Sequence, residues 1–76
     1  MAIASSAEAV AVVPSDETNF SKITRGIYVG VTGDVVAIVG GEAITFTAMA
    51  AGVIHPIRCT RINETSTTAT NMVAVF

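Results

Sequence analysis

The sequence predicts an all-β protein: a small antiparallel β-sandwich or barrel of about five strands, preceded by an extended N-terminal arm. Three observations carry this. Residues 23–31 alternate, with Ile23, Arg25, Ile27, Val29 and Val31 on one face and Thr24, Gly26, Tyr28 and Gly30 on the other. Gly40-Gly41 stands between two apolar runs, the signal of a two-residue hairpin turn. Further apolar segments follow at short intervals, each closed by a turn-forming stretch.

Taken in order, residues 1–22 form the arm and residues 23–76 the β-domain. The arm is rich in Ala, Ser and Val, and its charges are Glu8, Asp16, Glu17 and Lys22. The valines at 10, 12 and 13 favour extension over helix, and Pro14-Ser15-Asp16 marks a turn. Such an arm is expected to dock on a neighbouring copy. Residues 24–39, TRGIYVGVTGDVVAIV, read as a hairpin: a strand to Val31, a reversal at Thr32-Gly33-Asp34, and a partner strand from Val35 to Val39. That second strand is apolar on both faces, which marks it for cover by the core on one side and a neighbour on the other.

After Gly40-Gly41 the chain should return over residues 42–48, with Ile44 and Phe46 inward and Thr45 and Thr47 outward. Met49-Ala50-Ala51-Gly52 is a connection too short for a helix. Residues 53–62 read as one strand with Pro56 at an edge, bulge or bend, because proline removes a ladder donor. Residues 63–68 form a polar turn, and residues 69–76 a last strand.

Composition limits the function. With 76 residues there is room for one domain, and a chain this short buries only about 60% of its unfolded surface. Cys59 is the sole cysteine, so no disulfide closes within the chain, and His55 and Cys59 are too few for a zinc site. Half of the sequence is hydrophobic (51%) and 13% is charged, with a mean hydropathy of +0.66. That balance suits a subunit that hides faces in an assembly. No uncharged apolar stretch approaches the roughly 18 residues of a membrane span. Net charge is −2, and Lys22, Arg25, Arg58 and Arg61 form no dense basic cluster, so nucleic acid is not an expected partner. The N-terminus lacks a positive n-region and carries Glu8, so synthesis in the cytoplasm is expected.

No constellation points to catalysis, cofactor binding or a metal. The glycines at 26, 30 and 33 precede a strand and lack a Gly-Lys-Ser/Thr ending, so they shape the backbone by bulging or close approach and do not cradle phosphate. His55 and Cys59 on one strand would stand about 13 Å apart, far beyond proton-transfer reach. Cys59 is then a buried apolar residue and His55 a turn or interface residue. Asp34 and Glu42 read as solvated turn acids, residues 65–68 as a solvated tract, and Arg58 and Arg61 as facing opposite sides of a strand. Asn63-Glu64-Thr65 matches a glycan acceptor but lacks a secretory route.

The order TRGIYVGVTGDVV (24–36), Gly40-Gly41, AITF (43–46), AAGVIHPIRCTRI (50–62) and TTATNMVAVF (67–76) resembles the spike base protein family of gene transfer agents and tailed phages. The resemblance covers residues 24–76. It implies a virion structural protein without enzymatic activity: a spike base, cement or decoration subunit. Such a subunit would form a homo-oligomer, trimer or pentamer, and dock on the major capsid protein or other virion proteins. The alternative is a small carbohydrate-binding β-module of a phage fibre or spike, which the scarcity of aromatic platforms weakens, Tyr28 being the one tyrosine and tryptophan being absent.

Overall fold

A computed structural model describes residues 8–76. The chain is all-β, with strands β1 (Ala9–Ala11), β2 (Gly26–Val29), β3 (Gly33–Val39), β4 (Glu42–Met49), β5 (Val53–His55), β6 (Arg61–Ile62) and β7 (Val73–Val75). Two antiparallel sheets form the sandwich, one ordered β1-β7-β2-β5 and the other β4-β3-β6. Of the expected strands, β2 and β7 are shorter, β3 and β4 are one or two residues longer, and the strand over 53–62 is divided into β5 and β6, while β1 comes from the arm.

The Gly40-Gly41 turn is as expected: φ is +60° and +86°, both in the left-handed region that a two-residue hairpin turn of this hand requires. The hairpin expected over residues 24–39 is not formed. β2 and β3 lie in different sheets, and Thr32-Gly33-Asp34 carries the chain from one sheet to the other. Segment 68–71 lies against this crossing. Val31 and Thr70 form an antiparallel bridge, and the Asp34 carbonyl accepts from the Thr68 and Ala69 N–H groups. Close approach is what the glycines supply. A Cβ on Gly33 would stand 2.5 Å from the Ala69 nitrogen, and one on Gly30 2.6 Å from Asn71.

The single strand expected over residues 53–62 is also corrected. Ile57 N–H donates to the His55 carbonyl, a tight turn about Pro56, and the chain crosses there from β5 in one sheet to β6 in the other. Cys59 and Ile62, three apart, are therefore both buried, which one regular strand would not allow.

The core lies between the sheets and comprises Ile27 and Val29 of β2, Val35 and Ala37 of β3, Met49, Cys59, Ile62, Ala69, Met72 and Ala74. Fully burying a residue such as Ile27 contributes about 1.5–3 kcal/mol. Alternation in β2 holds at Ile27 and Val29 but fails at its entrance, where Thr24 is buried and Ile23 exposed.

Residues 8–22 run along the chain's own domain. β1 pairs with β7; further on, Ser15 N–H donates to the Ile62 carbonyl and Phe20 N–H to that of Thr60. This places residues 15–20 over the outer edge of β6. Phe20 meets Phe76 edge-on, with ring centroids 6.0 Å apart.

Candidate assembly surface

A sheet edge offers unpaired N–H and C=O groups, and soluble proteins usually protect it with charge, proline or a covering segment. Here β7 is covered by β1 and β6 by residues 15–20, which leaves β1, β5 and β4 as edges. β1 and β5 have three residues each, whereas β4 has eight. From Ala43 to Met49 it carries no charge and no proline. Among the described residues it is the long edge without a covering segment.

Facing follows from register. Val35 pairs with Phe46 and Ala37 with Ile44, and directly opposed residues share a face, so Phe46 and Ile44 point to the core side, as the alternation predicts. Of the two, Phe46 packs against the core cluster. Phe46 is half-buried and Ile44 is 39% exposed. Val35–Val39, expected to be covered by a neighbour on one face, has Val36 of that face buried by the chain itself. β3 is the middle strand of its sheet, so the open edge belongs to β4.

One device shapes that edge. Gly33 pairs with Met49 but Val35 with Phe46, so Thr47 and Ala48 together oppose Asp34, forming a bulge. Ala48 has φ +54°, and its N–H donates to Asp34 Oδ1 at 2.9 Å. Asp34 is thus the partner that the bulge requires, not a free turn acid.

The outer face of the four-stranded sheet is the second feature. Ile27 and Val29 point inward, so Tyr28 points outward with its register partners Ile54 and Val73, and Ala11 opposes Val73. Beside this row lie Ala9, Val75 and Gly26. None of these seven residues is charged, although an antiparallel sheet facing water normally alternates to polar residues there; Gly26 and Val75 are buried within the single chain. Tyr28 supplies one hydroxyl in an otherwise apolar field.

The other residues singled out by sequence hold structure. Cys59 is buried, and burial pushes its thiol pKa up, against bonds from Thr24 and the Arg61 backbone. His55 Nε2 lies 2.9 Å from the Ala50 carbonyl and ties down the β4–β5 turn. Arg61 donates to Asn63 and Asn19, while Arg58 is exposed. The tract at 65–68, expected to be solvated, is instead a set of clamps. Thr67 and Thr68 hydroxyls accept from the Val36 and Asp34 N–H groups, and Thr65 donates its hydroxyl to Asp16 Oδ2 at 2.6 Å. Asp16 Oδ1 also accepts from the Glu64 and Thr65 N–H groups. Sequence reasoning missed this clamp because its partners are separated by 48 and 49 residues. Among the described residues no three His, Cys, Asp or Glu side chains gather as a metal site.

Fold and surface define a class: a small antiparallel β-sandwich with one long open edge and an uncharged outer face. No known family profile matches the chain, and no curated protein does. A solved structure does match, a chain from the capsid of a native GTA particle computed with C5 symmetry. It is 32% identical, with a TM-score of 0.81, over 93% of this chain and 83% of that one. The chain belongs to the same family as this component of a GTA particle capsid.

Proposed function

We propose that the protein is a structural subunit of a phage-like particle, a spike base, cement or decoration subunit that associates with its own copies and docks on the shell. The observation that carries this is the β4 edge, open among the described residues and uncharged from Ala43 to Met49, on a chain whose relative is part of a GTA particle capsid. An exposed edge of this kind recruits a strand from another chain, with backbone hydrogen bonds supplying affinity. The outer face around Tyr28 supplies apolar area for a second contact, with the major capsid protein or another virion protein as its occupant. Weak single contacts suffice when copies repeat around an axis.

The ring is a trimer or a pentamer. In either ring the contact is heterologous, because a surface that pairs with itself generates a two-fold axis. The carbohydrate-binding alternative finds no support in Tyr28, whose ring is half-buried in the middle of a sheet. The residues read as structural throughout, and the role assigned is binding without catalysis.

The test is attachment. Particles from a producer lacking this gene are mixed with the purified protein and sedimented. Saturable co-sedimentation supports the proposal. Protein left in the supernatant at every concentration refutes it.

A further inference from the structure

Resting on the reading of the chain as a self-associating subunit, we infer that the four-stranded sheet continues from copy to copy, with β5 of one copy paired antiparallel to β1 of the next. β1 and β5 are the two end strands of that sheet, and both edges are open among the described residues. Neighbours in the sheet are all antiparallel, so in a row of four the end strands run in opposite senses. Joining β5 to β1 of another copy therefore leaves both copies pointing the same way. Rotation about a ring axis requires that, and two different edges make the contact heterologous, as ring closure demands.

The backbone groups match. Phe76 N–H donates to the Glu8 carbonyl and Val12 N–H to the Met72 carbonyl. Bonding alternates along an antiparallel strand, so Val10 also faces β7, and the N–H and C=O groups of Ala9 and Ala11 point to the open side. At the other end of the sheet the Val29 carbonyl accepts from Gly52 N–H, so Val29 and Ile27 face β5. Tyr28 then faces β7, and its register partner Ile54 points its N–H and C=O to the open side. Ile54 can therefore pair with Ala9 or with Ala11. Charge selects Ala11. In that register Val53 and His55 stand opposite Val12 and Val10, and Glu8 lies at the end of β5 that continues to Arg58. Arg58 is exposed with no ion-pair partner among the described residues, and Glu8 stays exposed while paired with Lys22.

The side chains agree with this pairing. Val10 and Val53 have core residues as register partners, Ala74 and Val29, yet they are 48% and 49% exposed. Each lacks the cover that a further strand supplies. On the outer face the uncharged row Ala11, Val73, Tyr28, Ile54 runs on into Ala11 of the next copy. β4 is joined to β5 by residues 50–52, so the same contact brings a neighbouring chain alongside the open β4 edge.

Disulfide mapping between two populations of the full chain tests this. One population carries Ile54→Cys and the other Ala11→Cys, both exposed positions. Bonded antiparallel partners have Cα atoms about 5.5 Å apart, within the roughly 4.4–6.8 Å that a disulfide spans, and Cys59 is buried and stays out of the exchange. The expected result is a cross-linked species of twice the 7.8 kDa chain mass containing one chain of each population. A charge exchange reads the register. Arg58→Glu alone, and Glu8→Lys together with Lys22→Glu, which inverts the ion pair inside the chain, should each weaken association about threefold in sedimentation velocity. All three changes together should restore it. Four results overturn the inference: no link between positions 54 and 11, Ile54→Cys chains that link only to each other, Ile54→Cys chains that link only to shell protein, or a combined charge variant no better than its parts. Co-sedimentation with particles is read on the same samples. A protein that pellets with particles without the 54-to-11 link removes this inference alone, and one that forms the link but ignores particles removes the proposed function.

Discussion

Thr24 and Cys59 are locked to each other in the core: Thr24 Oγ1 accepts from the Cys59 N–H at 3.0 Å while donating its own proton to the Ile57 carbonyl at 2.7 Å. The Cys59 sulfur lies 3.5 Å from the same oxygen. With the hydroxyl proton committed to Ile57, the thiol is the donor there. One threonine, the only buried polar residue among those described, thus fixes the crossing between β5 and β6.

Thr24→Val keeps the shape and removes the hydroxyl, leaving a buried N–H and a C=O without a partner. The expected loss is about 2–6 kcal/mol, from roughly 1–3 kcal/mol for each of the two orphaned groups. Thr24→Ser retains the bonds and loses a methyl, for about 1 kcal/mol. Urea denaturation of the two variants checks the order. Equal losses would mean that packing, and not the hydrogen bonds, is what Thr24 contributes.

Asp16 ties the segment after Pro14 to the turn at 64–65. The Thr65 hydroxyl, then the Thr65 backbone N–H, with smaller contributions from the Glu64 N–H and Arg61, hold its pKa below the ordinary 3.8, against desolvation. Because the folded-state value is the lower one, the carboxylate's contribution is complete above the unfolded value near 3.8 and disappears as pH falls through the folded value. Asp16→Asn is therefore expected to lower the urea midpoint at neutral pH. The gap to the parent protein should narrow only below about pH 4. A gap that stays constant down to pH 2 would rule out the carboxylate charge as the cause.

Glycines 33 and 40 should respond differently to alanine. At Gly33 the new Cβ would strike backbone, 2.5 Å from Ala69 N and 2.7 Å from Ala69 Cα, so segment 68–71 must move, at a cost of about 3 kcal/mol. At Gly40 nothing lies within 4 Å and only the φ of +60° opposes a side chain, for about 1 kcal/mol. Thermal melts of Gly33→Ala and Gly40→Ala compare them, and a larger loss at Gly40 would show that the close approach of segment 68–71 is not limiting.

Ile44→Lys places a charge on the open edge at a position that is 39% exposed in the single chain. The folding free energy of the subunit should change by less than about 0.5 kcal/mol, while association weakens strongly, since edge charge blocks strand pairing. Sedimentation velocity reads the association and urea denaturation the stability. A variant that assembles like the parent would place the subunit contact elsewhere.

Much of this fold is legible in residue order. Gly40-Gly41 announces its hairpin because two adjacent glycines suit a turn that needs positive φ twice, and the β2 alternation marks Ile27 and Val29 as core. The sheet assignment of β2 and β3 is not legible. Thr32-Gly33-Asp34 carries the composition of a turn, yet the glycine is needed for contact with residues 68 and 69, a requirement that resides in the distant segment. The same reason hides Asp16, Thr67 and Thr68, whose partners lie 31 or more residues away. Of the assembly surface, sequence gives the surplus of apolar residues and the facing of Ile44 and Phe46. It assigns the second face of Val35–Val39 to a neighbour, because apolar character on both faces reads equally as cover by another chain or by the chain's own segments, and Val36 on that face is already buried in the single chain.

As the proposed particle subunit, this chain buries its β4 edge against another chain. A cryo-electron reconstruction of particles purified from a producing cell tests it most directly. The prediction is density for the sandwich on the shell, repeated about a symmetry axis, with a strand from another chain hydrogen-bonded along residues 43–49. Particles that lack this chain, or that carry it with β4 facing solvent, would contradict it.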